Sequence, residues 1–245
     1  MALSEGQILH NRYRVEAQLG QGGMGALYRA WDMHLELGVA VNENLDISPE
    51  AQRQFSREAR ILARVSHSNL PRVTDHFFIE GQGQYLVMDY IDGEDLKTIV
   101  ESEGALPEPQ ALQWISQICD ALAYLHNLPS PIIHRDIKPA NIRIRADGRA
   151  MLVDFGIAKI FDPAIITTSG AQLVTPGYSP PEQYGLGQTD SRSDIYSLGA
   201  TIYHLLTGQK PPESVQRMAG TPTPPMRMYN PKLSSSVEEV VSRAM

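Results

Sequence analysis

The chain has 245 residues, of which 42% are hydrophobic and 20% charged, with a formal net charge of −7. That is enough apolar material for one large domain or two packed lobes, and no basic field exists to make nucleic acid a main partner. One cysteine, Cys119, excludes an internal disulfide framework and fits a reducing compartment. Following Ile118 in a helical pattern, Cys119 reads as a packing residue. Met1 to Gln7 shows neither a basic start nor an apolar run, so no secretory signal is expected. The apolar stretch Ile195 to Leu206 is broken by Tyr196, Ser197, Gly199 and His204 and is too short to span a bilayer. The expectation is a cytoplasmic chain without membrane contact of its own, leaving open an anchor in a longer parent.

From Tyr13 to about Asp92 the punctuation is strand-like. Tyr13-Arg14-Val15 leads into a glycine cluster, Ala26 to Ala30 reads as the returning strand, and Gly38 to Val41 as a third. Ser48-Pro49-Glu50 then opens a helix, with Ser48 as N-cap and Pro49 in the first turn. Phe55, Ala59, Leu62 and Ala63 give that helix one apolar face. Two more strands are expected around Val73 to Ile79 and Gln84 to Met88. After Asp92-Gly93 the pattern turns helical over Leu96 to Glu101, Pro107 to His126 and Asp194 to Thr207. Between them lie short strands and turns over Ile132 to Phe155 and a long loop from Ile157 to Gln183, a length that is usually functional. A small β-rich unit with one helix thus precedes a larger helical unit.

Gly20, Gly22 and Gly25 form the pattern G-x-G-x-x-G, whose backbone can approach phosphate oxygens closely. Alone it is weak, because a tight hairpin explains a glycine cluster too. A dinucleotide fold would need a helix directly after the glycines; Leu27 to Ala30 reads as a strand instead.

Further along stand His134-Arg135-Asp136-Ile137-Lys138-Pro139-Ala140-Asn141, then Asp154-Phe155-Gly156, then Thr175 to Glu182 in the form T-P-G-Y-S-P-P-E, then Ser193 to Gly199. In this order, behind a glycine loop, they resemble the signature set of protein kinases, in the style of the bacterial eukaryotic-like (Hanks-type) serine/threonine kinases. The resemblance covers nearly the whole chain. It implies an α+β bilobal fold: an N-lobe over residues 1–91, with helix C near 49–64 and a hinge at 89–91, and a C-lobe over 92–245. The C-lobe would carry a catalytic loop at 134–141 and an activation segment at 154–182.

It further implies transfer of the ATP γ-phosphate to protein Ser/Thr hydroxyls. Asp136 would take or orient the hydroxyl proton, Lys138 would neutralise the γ-phosphate, and Thr175 would tie substrate loop to catalytic loop. Asn141 and Asp154 are hard oxygen ligands suited to Mg²⁺. The nucleotide would lie against the loop Leu19, Gly20, Gln21, Gly22, Gly23, Met24 and Gly25. Leu27, Ala40 and Met88 would line the adenine, hinge residues Asp89, Tyr90 and Ile91 would read its edge, and Asp95 would meet the ribose. Arg143 stands at the floor position, where the family usually places an aliphatic. Leu62, Val73, Phe155 and packed His134 should stack between the lobes. Expected partners are protein substrates, and a dimer through the domain is compatible with the resemblance. Arg135 before Asp136 resembles kinases governed by activation-loop phosphorylation, with Thr167, Thr168 and Ser169 as candidate sites.

One departure matters most. The third strand normally reads V-A-x-K, and here reads Val39-Ala40-Val41-Asn42. The missing lysine should hold the α- and β-phosphates and pair with Glu58. The first lysine in the chain is Lys97, so none lies in the N-lobe. Strongly impaired turnover with retained nucleotide binding is expected. The intact metal ligands favour an introduced or recent change over the alternative, a natural pseudokinase serving as scaffold. The C-lobe also looks incomplete: the chain stops at Met245 within a helix, without the arginine that usually pairs with the residue equivalent to Glu182.

Overall fold

The computed structural model describes residues 3–22, 25–154, 174–185 and 187–245. The chain divides into two compact units, Met1–Ile91 and Asp92–Met245.

In the first unit, strands β1 (Ile8–Leu9), β2 (Tyr13–Gly22), β3 (Gly25–Asp32), β4 (Leu37–Asn44), β5 (Val73–Ile79) and β6 (Gly83–Asp89) form an antiparallel sheet in the order β1-β2-β3-β4-β6-β5. Alternation selects which side chains go inward: Val39, Val41 and Glu43 of β4 join Tyr13, Val15, Tyr28, Phe77, Tyr85 and Val87 among the buried residues. Tyr13, Phe77 and Tyr85 stack, with centroid separations of 5.7 and 5.2 Å. Helix α1 (Pro49–Leu62) packs near β5 and β6. The Ser48 side chain accepts from the Ala51 N–H at 3.2 Å, a cap that contributes about 1 kcal/mol. Phe55, Glu58, Ala59 and Leu62 form its buried face.

The β2–β3 hairpin pairs up to Gly22 opposite Gly25, with register shifts between Val15 and Ala17 and between Gln18 and Gly20. Gly25 has a packing reason to be glycine: a Cβ there would collide with the main-chain carbonyl of Glu43 on the next strand.

Among the described residues the second unit has three antiparallel strands, β7 (Glu94–Asp95), β8 (Ile142–Ile144) and β9 (Ala150–Leu152). Its helices are α2 (Leu96–Glu103), α3 (Glu108–His126), α4 (Ser191–Thr207), α5 (Ser214–Met218), α6 (Met226–Tyr229) and α7 (Ser235–Ala244). Helix α3 turns Ala111, Trp114, Ile115, Ile118, Ala121, Leu122 and Leu125 inward, the i, i+3, i+4, i+7 stripe of an amphipathic helix. Cys119 falls off that stripe and is exposed, which overturns the expectation of a packing cysteine. Helix α4 is the buried axis of the unit, with Ala200, Leu205 and Leu206 inaccessible to solvent. It begins with a capping box between Asp190 and Ser193, three residues before the expected start. Among the described residues no helix is long and apolar enough to cross a membrane.

Candidate active site

The candidate site in the second unit is built from one loop and one turn. The loop runs from His134 into the β8–β9 hairpin. Asp194, fully buried near the start of α4, accepts from the His134 N–H at 2.9 Å and the Arg135 N–H at 2.8 Å, and meets His126 Nε2 at 2.7 Å. One carboxylate thus fixes the backbone just before Asp136. Arg135 is held at a φ of +64°, where a non-glycine residue is strained. His134 is 2% exposed. The side-chain amide of Gln183 adds a bond to the Arg135 carbonyl at 2.8 Å.

Asp136 then gathers side-chain donors from both the loop and the turn. Lys138 Nζ reaches its Oδ2 at 2.9 Å, Asn141 Nδ2 the same oxygen at 3.1 Å, and the Thr175 hydroxyl its Oδ1 at 2.8 Å. Lys138 Nζ also lies 3.3 Å from the Thr175 hydroxyl. The lysine and aspartate side chains keep 23% and 12% exposure, so the cluster is built yet reachable.

Thr175 is placed by the turn that follows it. Its N–H donates to Ser179 Oγ at 2.8 Å, its carbonyl accepts from the Tyr178 and Ser179 N–H groups at 3.0 Å, and Ser214 Oγ anchors the Ser179 carbonyl at 2.9 Å.

Asn141 and Asp154 flank the β8–β9 hairpin. Ile142 pairs with Leu152, and the Val153 N–H donates to the Asn141 carbonyl at 2.9 Å, which brings the two segments together outside the strand ends. Asp154 stands at a φ of +63°. Asn141 spends its side-chain nitrogen on the Asp136 carbonyl (2.8 Å) and carboxylate. Its oxygen and the Asp154 carboxylate are hard donors of the kind that suit a divalent cation.

The remaining second-unit positions make local bonds. Asp95 caps α2, accepting from the Thr98 N–H at 3.0 Å and its hydroxyl at 3.1 Å, so its carboxylate is engaged locally. Arg143 sends Nη1 to the Gly93 carbonyl at 2.7 Å. Glu182 accepts from the Ser193 hydroxyl at 2.6 Å.

In the first unit, Asn42 lies on β4 opposite Leu27 of β3 and Leu86 of β6. Glu58 is buried on α1, where Gln54 Nε2 donates to it at 2.9 Å. Ala40 and Met88 pair across β4 and β6 and are buried, while Leu19 is 39% exposed. Gly20 and Gln21 pair with Leu27 and Ala26. At the end of β6, Asp89 accepts from the Arg72 N–H and guanidinium at 3.1 Å, Tyr90 carries the Arg29 guanidinium 4.9 Å from its ring, and Ile91 is buried. Leu62 is buried and Val73 half-buried. Gly23, Met24, Phe155, Thr167, Thr168 and Ser169 lie outside the described residues.

Sequence reasoning missed Glu43. It is 3% exposed and accepts from the hydroxyls of Tyr28 and Tyr85, each at 3.2 Å. Its only sequence signal is the inward parity it shares with Val39 and Val41.

A β-sheet unit with one helix, followed by a helical unit bearing this Asp-Lys-Asn-Thr cluster, is the architecture of a protein kinase, with a β-rich N-lobe and a helical C-lobe. The protein kinase domain family matches residues 13–240, and the chain belongs to it, among the bacterial Hanks-type serine/threonine kinases. Similar proteins include serine/threonine-protein kinase PknB of Mycobacterium leprae, 37% identical over 97% of this chain and 40% of that protein. Serine/threonine-protein kinase pkn3 of Myxococcus xanthus is 34% identical over 98% of this chain and 47% of that one. The chain therefore spans less than half the length of these relatives. Among solved structures, the Mycobacterium tuberculosis PknI kinase domain is 28% identical with a TM-score of 0.76, covering 99% of this chain and 91% of that one.

Proposed function

We propose that this domain transfers the γ-phosphoryl group of ATP to serine or threonine hydroxyls of proteins, at a rate held low by Asn42. The observation that carries the reading is the Asp136 cluster: a reachable carboxylate tied to a lysine, an asparagine and the threonine of the following turn. Such transfer needs positioning and charge neutralisation more than covalent help.

The acceptor hydroxyl approaches Asp136. As its oxygen bonds to the γ-phosphorus, its proton passes to the carboxylate, and the bond from that phosphorus to the bridging oxygen breaks to release ADP. Lys138, already 2.9 Å from Asp136, places a positive charge beside the transferring group. Thr175 holds the Oδ1 side of Asp136, so the carboxylate cannot swing away. Mg²⁺ held by Asn141 and Asp154 would supply charge neutralisation on the phosphates. The need for ATP also supports a cytoplasmic location.

Asn42 is neutral and short, and no lysine precedes Lys97 to replace its function. Loss of one partner of a buried pair costs about 3–5 kcal/mol, which corresponds to a rate lower by roughly 10²–10⁴-fold. The test is radiolabelled autophosphorylation, with a generic protein substrate alongside, of this chain and its Asn42→Lys form. A gain of that order supports the reading. No turnover in either form, with nucleotide still bound, would favour a nucleotide-binding scaffold instead.

A further inference from the structure

The turn that ends on Asp136 carries a second feature that the phosphoryl-transfer chemistry leaves unused. Tyr178, 8% exposed, lies three residues after Thr175. Its hydroxyl meets His204 Nδ1 of α4 at 2.6 Å. Lys210, in the loop after α4, places Nζ 5.4 Å from the centre of the Tyr178 ring, a cation–π position. Its aliphatic stem lies against Gly177: a Cβ there would come within 2.6 Å of Lys210 Cε and 3.0 Å of its Cγ, and Gly177 has a φ of +87°. Glycine at 177 is what allows the lysine to lie down on the turn. The cation is thus positioned by packing along its stem.

Among the described residues no carboxylate forms an ion pair with Lys210. The acidic group that influences this neighbourhood is Glu101, which pairs with Lys97 at 3.6 Å. His204 is held below its ordinary pKa by burial and then by Lys210 itself, and Tyr178 is raised by burial. Both effects disfavour a charged imidazole, which leaves Lys210 as the cation of the cluster.

Chain connectivity places this cation on the turn whose first residue bonds Asp136. Thr175 bonds Asp136, and three residues of chain span at most about 10 Å. An extended peptide covers the same distance in three residues on either side of its reacting hydroxyl. We propose that Lys210, seated on Gly177 and Tyr178, selects protein substrates bearing an anionic side chain, carboxylate or phosphate, within about three residues of the acceptor. The proposal rests on the kinase reading above.

The test uses serine peptides in the Asn42→Lys protein. Each peptide carries Glu, phosphoserine, Ala or Lys at one of the three positions on either side of the acceptor. At one position or more, kcat/KM should rank the anionic peptides above Ala by about three- to five-fold, the range of an exposed ion pair, with Lys below Ala. The Glu and phosphoserine arms separate an acidic motif from a primed one. Lys210→Glu should invert the ratio of Glu to Lys peptides, and Lys210→Gln should bring it near one. A flat ranking, or one that Lys210→Glu leaves unchanged, overturns the proposal. If no peptide is turned over, the kinase reading fails first. The same labelled peptides are then titrated by fluorescence anisotropy, where loss of preference for the Glu peptide on Lys210→Glu supports the site and equal binding rejects it.

Discussion

Two carboxylates, one in each unit, are surrounded by hydrogen-bond donors and have opposite uses. Asp136 takes bonds from Lys138, Asn141 and Thr175 and keeps 12% of its side chain exposed. Glu43 takes bonds from Tyr28 and Tyr85 and is sealed at 3%. Donors alone do not make a reactive carboxylate. Access does, together with a partner cation that can also reach an incoming phosphate. Glu43 sits beside Asn42, but adjacent strand residues face opposite sides of a sheet. Glu43 therefore belongs to the core of the first unit, on the face of the sheet opposite Asn42.

The contrast can be broken most directly at Asp136. In the Asn42→Lys protein, Asp136→Asn should lower kcat by about 10²–10⁴-fold, the usual range for a lost general base. Glu43→Gln in the same background should change kcat by less than about two-fold. Equal losses in steady-state assays would erase the distinction between the two carboxylates.

The second test moves to stability. Glu43→Ala leaves two buried phenols without an acceptor and should cost about 2–3 kcal/mol. Glu43→Gln, which keeps one oxygen, should cost less than half as much. Urea unfolding followed by tryptophan fluorescence reads both. A Glu43→Ala protein as stable as its parent would show that the tyrosines find other partners.

A smaller effect sharpens the catalytic side. Thr175→Val keeps the shape of the turn and removes the 2.8 Å bond to Asp136. One lost hydrogen bond to a charged group, about 1.5 kcal/mol, should lower kcat near ten-fold. Nucleotide affinity should stay unchanged, and a drop in affinity equal to the drop in rate would mean that the turn holds more than the acceptor side.

Much of this was legible because it is local. Ser48-Pro49 announces the start of α1, and the glycine cluster followed by a strand gives the hairpin of β2 and β3. Tertiary partners were not legible. Asp194 marks a motif in the sequence, yet its ties to His126, His134 and Arg135 bridge 59 to 68 residues. Ser193 opposite Glu182, and Gly93 opposite Arg143, are pairs of the same kind, set by how loops meet. Resemblance names Asp95 only as a position, whereas the structure adds its bonds as the cap of α2. Cys119 was misplaced by one position of helical phase, since its neighbour Ile118 takes the inward site. Glu43 was passed over because a carboxylate in a strand reads as a solvent-facing residue until its parity is counted.

The last test concerns a third carboxylate, Asp32, which shows the structural use of charge in the first unit. Arg12 grips it with two bonds of 2.9 and 2.7 Å, and the His34 and Leu35 N–H groups add bonds at 3.0 and 3.2 Å. The guanidinium, and then the two backbone N–H groups, hold the Asp32 carboxyl below the usual aspartate range against the opposing effect of burial. A carboxyl whose folded pKa is depressed binds its proton more readily when unfolded. Its stabilisation is therefore complete above the ordinary aspartate pKa near 4 and fades as pH falls from there through the lowered value. Arg12 keeps 26% side-chain exposure, so solvent screening trims the effect to on the order of 1 kcal/mol. The stability gap between the parent chain and Asp32→Asn should be constant from pH 7 to about pH 5 and narrow below pH 4. Melting curves across that range read the gap, and one that widened on acidification would place the stabilising charge on some other group.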